Sequence, residues 1–220
     1  NTLERHNNRL MKTGSQIKFD KVIKEGFHEL LKPLGFKKKA NNFYLQLDTL
    51  GQIINVQKSA WGDKDSISFT INTGIFVPEY WLAFYSNSDK KLPEYPIQPE
   101  CLIKKRIGEL RNQHDTWYNI EERTDEQQLI SEIRTNLTDF ILPYFNRINN
   151  TERMIHELDH SDILMDPFMI TSPLGRLIVY GEFRQFDKAK RDYEFLLNNK
   201  TNSHFLLRLK AYGQKYGLDK

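Results

Sequence analysis

Apolar residues near the start of the chain recur at helical spacing. Phe19, Val22, Ile23, Phe27, Leu30, Leu31 and Leu34 line one face, and Pro33 with Gly35 predicts where that helix stops. Beyond the run Lys37-Lys38-Lys39 the period shifts from 3.6 to two. Phe43, Leu45 and Leu47 alternate with Asn42, Tyr44, Gln46 and Asp48; after a turn at 48–51, Ile54 and Val56 alternate with Asn55, Gln57 and Ser59. A third segment sets Ile67, Phe69, Ile71 and Ile75 against Ser66, Ser68, Thr70 and Asn72. Short connections between such strands predict an antiparallel meander with one buried face.

The pattern then changes twice. Four of the eight prolines fall at 78–100, which predicts a loop over 87–100 after a short aromatic helix at 80–85. Strands through 101–107 and around 117–120 complete the sheet. Thr124 and Gln127 have capping-box spacing, and Leu129, Ile130, Ile133, Leu137, Phe140 and Ile141 form the stripe of a helix that Pro143 is expected to kink or end. Everything after residue 150 reads as helical, near 151–159, 174–184, 187–198 and 204–216. The expected fold is α+β: an antiparallel sheet packed on one face by helices, with a C-terminal all-helical appendage. Residues 1–150 form the α+β domain and 151–220 the appendage, with 1–14 read as disordered or foreign to the native chain and Met11 as a candidate start.

Composition narrows the class. A chain of 220 residues, 39% hydrophobic and 28% charged, buries a core, and no apolar run reaches the ~20 residues of a membrane span. The net charge of +3 hides an asymmetry, because residues 1–40 carry ten basic and four acidic groups while 41–100 carry four and seven. That local excess is too small to favour nucleic acid as a partner. A single cysteine, Cys101, forms no internal disulfide and predicts a reducing, cytoplasmic setting with the thiol in the core.

Two features carry candidate chemistry. His156-Glu157-Leu158-Asp159-His160 has the H-E-x-x-H spelling in which two histidines four apart share a helix face, ligate zinc and leave the glutamate as base. Asp166 falls at the spacing of a third ligand, but Asp159 puts a charge where such helices are normally buried. A zinc-dependent hydrolase is therefore the alternative reading, and the leading one needs no cofactor. The second feature is the polar face of the sheet. Tyr44, Asn55, Gln57, Ser59 and Asn72 offer amides and hydroxyls without a general acid, and Trp61, Arg106, Trp117 and Tyr118 add charge and stacking at its rim. Such a surface suits a non-catalytic module that binds a protein or peptide.

The succession Gly35-Phe36-Lys37-Lys38, Asn42-Phe43-Tyr44, Ile54-Asn55-Val56-Gln57-Lys58-Ser59, Phe69-Thr70-Ile71-Asn72-Thr73-Gly74, Cys101, Arg106-Ile107-Gly108 and Trp117-Tyr118 resembles the bacterial domain-of-unknown-function family 4304 over about residues 15–148. The resemblance implies a bacterial, intracellular, compact α+β domain and supplies no catalytic residues. By analogy with other small α+β domains it suggests a binding role, such as that of an immunity protein that plugs a toxin.

Overall fold

The computed structural model describes residues 12–60, 65–86, 88–160, 173–199 and 202–219. Helix α1 (Gly14–Lys21) runs through a π-helical segment (Val22–His28) into a last turn α2 (Glu29–Leu31). Strands β1 (Lys37–Lys39), β2 (Asn42–Gln46), β3 (Gly51–Lys58) and β4 (Ile67–Phe76) follow, then helix α3 (Pro78–Phe84), strand β5 (Ile103–Arg106), the single turn α4 (Ile107–Leu110) and strand β6 (Tyr118–Ile120). Helix α5 (Glu126–Asn136) passes through a second π-helical segment (Leu137–Ile141) into α6 (Leu142–Arg147), and among the described residues four helices follow: α7 (Thr151–His160), α8 (Pro173–Glu182), α9 (Phe186–Asn199) and α10 (Ser203–Tyr216). The antiparallel sheet has the order β1-β2-β3-β4-β5, with β6 also paired to β4, and it is an α+β fold with a helical C-terminal region.

The chain forms two compact units, one from Asn1–Leu45, Ile53–Thr73 and Lys105–Asn146, the other from Gln46–Gln52, Gly74–Lys104 and Arg147–Lys220. In the first unit the helical stripe meets the apolar strand face. Phe19 stands edge-on to Phe69 at 5.5 Å between ring centroids, Phe27 stacks on Phe43 at 5.7 Å, and Tyr118 stacks on Phe69 at 5.2 Å. Leu129, Ile130, Ile133, Leu137 and Ile141 are buried along α5 and its π-helical extension. Each such side chain withdraws apolar surface worth about 1.5–3 kcal/mol from water.

In the second unit α8 is buried from Leu174 to Gly181, the signature of a helix surrounded on all sides. Between α8 and α9 lies an ion pair that the apolar pattern hides: Arg176 Nε and Nη2 donate to Asp192 at 2.5 and 2.7 Å, with the side chains 3% and 1% exposed. Gly74 permits another close approach, since a Cβ there would meet Cys101 Sγ at 2.5 Å. Cys101 is thus a core thiol, and burial pushes its pKa up.

Several local expectations are revised. The lysine run is an exposed edge strand pairing Lys37 with Tyr44 and Lys39 with Asn42, a charge pattern that discourages further strand addition. Leu34 is exposed, because the helix has tightened to a 3₁₀ turn at Lys32–Leu34 before Gly35 adopts the left-handed conformation. The cap of α5 is Asp125, whose carboxylate accepts from the N–H groups of Gln127 and Gln128, while Thr124 Oγ1 accepts from Glu121 N–H. Pro143 does not end the helix; the π-helical segment ends two residues before it and the helix continues to Arg147.

Candidate functional site

The strongest constellation starts at the end of β5. Arg106 N–H donates to Glu109 Oε2 at 2.6 Å, which caps α4 and turns the chain away from the sheet. After this turn, residues 111–117 fold back closely enough that a Cβ on Gly108 would meet the His114 carbonyl oxygen at 2.2 Å. Only a residue without a side chain leaves room for that approach. Thr70 Oγ1 on β4 then donates to the Thr116 carbonyl at 2.8 Å, anchoring the returning segment beside the sheet.

The consequence is a fixed cluster. Arg106 Nη1 donates to Asp115 Oδ2 at 2.5 Å, and Trp117 Nε1 donates to the same oxygen at 2.9 Å. The guanidinium lies 5.8 Å from the Trp117 ring centroid. Burial tends to raise the Asp115 pKa, but the bonds from Trp117 and Arg106 outweigh it and hold the carboxyl below its usual range. Both members of the ion pair are partly exposed, so the pair itself contributes only about 0–1 kcal/mol; its effect is orientation. Trp117 remains 37% exposed with its one donor already committed.

On β2, β3 and β4 the polar strand face takes an unexpected form. Asn55 Nδ2 donates to Asn42 Oδ1 at 2.8 Å, and Asn72 Nδ2 donates to Asn55 Oδ1 at 3.1 Å and to Gln57 Oε1 at 2.8 Å. The amides therefore satisfy one another in a row across β2, β3 and β4. Asn72 is only 4% exposed, Tyr44 and Thr70 are buried, and Tyr118 is buried with its hydroxyl accepting from Asn136 Nδ2 at 2.8 Å. The open polar face expected from alternation narrows to Gln57, Ser59, Arg106 and Trp117; Tyr44, Asn72 and Tyr118 act in packing and in the bonding beneath, and Asn55 is half-buried within the row. Trp61 lies outside the described residues. Asp115 escaped the sequence reading, although an acid two residues before an exposed tryptophan and nine after an arginine was its visible signal.

The H-E-x-x-H segment occupies α7. Met154 and Leu158 are its buried side, whereas His156 and His160 are exposed with ring centroids 4.1 Å apart. His160 Nδ1 is 2.8 Å from the His156 carbonyl oxygen. Asp159, the charge that jarred with the zinc pattern, accepts from Tyr180 Oη at 2.7 Å and Lys188 Nζ at 2.6 Å and so fastens α7 to α8 and α9. Among the described residues no three potential ligands cluster, and Asp166 lies outside them.

A family model described as Domain of unknown function (DUF4304) matches residues 27–147. The chain belongs to that family. The match to DUF4304 contains the amide row and the whole Arg106–Asp115–Trp117 cluster, and it ends before α7 with its two histidines. Gly74 and Gly108, which lie within the matched residues, each make room for a neighbour, Cys101 and His114 respectively. No curated protein and no solved structure matches the chain.

Proposed function

We propose that this DUF4304 protein is a non-catalytic binding module for a protein or peptide, with Trp117 and Arg106 as the centre of contact and Gln57 and Ser59 beside them. The observation that supports this reading is the exposed indole held in one orientation by Asp115, which is in turn held by Arg106. Tryptophan and arginine dominate the energy of protein interfaces, and a side chain ordered before binding loses less entropy on contact. The setting proposed for this interaction is a bacterial cytoplasm, and one-to-one occupancy of a partner, as by an immunity protein, is the kind of task such a patch performs.

The test is capture with purified wild-type, Trp117→Ala and Arg106→Ala baits, checked for equal folding by circular dichroism. A partner retained by wild type, lost from both variants and competed away by free wild-type protein supports the reading. Retention by both variants at wild-type level contradicts it.

A further inference from the structure

In the second unit, the end of α3 and the face of α10 enclose a half-open cavity of about 670 Å³, within the range of small-molecule sites. How it forms is simple. The last carbonyls of a helix lack partners within it, and α10 supplies them: Arg208 Nη2 donates to the Phe84 carbonyl at 3.0 Å and Tyr212 Oη donates to the Ala83 carbonyl at 3.1 Å. These bonds fasten one end of the contact and leave a cleft between Tyr85, Ser86 and Ser88 on one side and the outer stripe of α10 on the other.

That stripe is basic. His204, Arg208 and Lys215 all line the cleft, with Leu207 and Ala211 between them, and among the described residues its lining contains no aspartate or glutamate. Lys215 is matched by Glu182 at 2.5 Å, but Arg208 has no carboxylate partner among the described residues; its guanidinium rests on the Phe84 ring, 3.9 Å from the centroid. Lys90 sits over the Tyr85 ring at 4.2 Å and adds a further cation beside the cleft. Leu207, 68% exposed, presents an apolar wall.

We propose that this cleft binds a small anion carrying a compact apolar body, with the anionic group on Arg208 and His204 and the body against Leu207 and Ala211. A guanidinium with no carboxylate partner among the described residues selects negative charge, and its planar fork suits either a carboxylate or a phosphate monoester. Residues of α10 lie beyond the DUF4304 match, so the site belongs to this chain's combination of that domain with its C-terminal helices. The proposal is independent of the Trp117 contact.

Ligand-observed NMR on the full chain tests it with three probes of similar body: 4-phenylbutyrate, phenyl phosphate and the neutral 4-phenylbutanol. Saturable binding of one or both anions, at least about tenfold tighter than the alcohol, supports the proposal and tells which head group is preferred. Ala211→Glu places a carboxylate inside the cleft while leaving both fastening bonds in place, and it abolishes anion binding; Arg208→Ala weakens it about tenfold or more. Equal binding of the alcohol, no binding of either anion at about 10 mM, or wild-type affinity in a folded Ala211→Glu protein overturns it.

Discussion

The two compact units bury polarity by different means. In the first, the polar row built on buried Asn72 is neutral, with Asn42, Asn55, Asn72 and Gln57 exchanging amide bonds across three strands. In the second, the buried pair is ionic, with the Arg176 fork on the Asp192 carboxylate between two helices. A neutral amide that loses its partner leaves a dipole; a carboxylate that loses its guanidinium leaves a charge. The comparison teaches that the sheet's polar face tolerates piecemeal loss, whereas the helical unit depends on keeping both members of one pair.

The largest effect follows directly. Asp192→Ala strands the Arg176 charge and costs about 3–5 kcal/mol in urea unfolding, while joint replacement of Arg176 by Met and Asp192 by Leu recovers most of that loss. Asn72→Ala removes the donor to half-buried Asn55, while water replaces the bond to exposed Gln57, and costs less, about 1–2 kcal/mol. A cost for Asn72→Ala above that for Asp192→Ala breaks the comparison. Gly108→Ala forces its Cβ against the His114 carbonyl, displaces the returning segment and costs about 1–3 kcal/mol, with the Trp117 indole resonance shifting as the segment moves.

The smallest effect is a titration. Asp115 has a depressed folded pKa, so its contribution is present above its unfolded pKa and is lost as pH falls through the lower folded value. Acidification through that range releases Trp117 Nε1–H from Asp115, read as a shift of that indole resonance, and Asp115→Asn moves the resonance at neutral pH and removes the acid titration. An unchanged titration in Asp115→Asn contradicts the hydrogen-bond assignment.

Much of this architecture is visible in periodicity. The first helix, the three-strand meander and the apolar stripe of α5 follow from spacing, although the expected single buried face of the meander fails at β4, which is buried on both faces from Phe69 to Phe76. What periodicity hides is pairing between distant residues. Asn55 and Asn72 look like wet residues until β3 and β4 lie side by side, and Arg176 and Asp192 look like surface charges until two helices close on them. The π-helical segment at Val22–His28 carries no sequence mark comparable to a cap or a proline, whereas that at Leu137–Ile141 ends two residues before Pro143. Of the site, Arg106 and Trp117 were legible as residue types, whereas the acid that orients them was not, because its role arises from a fold-back that Gly108 permits.

The central claim, that the oriented indole is where a partner meets this protein, is tested most directly by photo-crosslinking. A benzoylphenylalanine at position 114, an exposed residue of the same returning segment that leaves the Trp117 indole in place, is irradiated in cells that express the protein and yields one discrete adduct that excess wild-type protein suppresses and Trp117→Ala or Arg106→Ala weakens. No adduct at position 114, alongside a discrete one from a control position such as Lys37 on the exposed edge strand, contradicts the account.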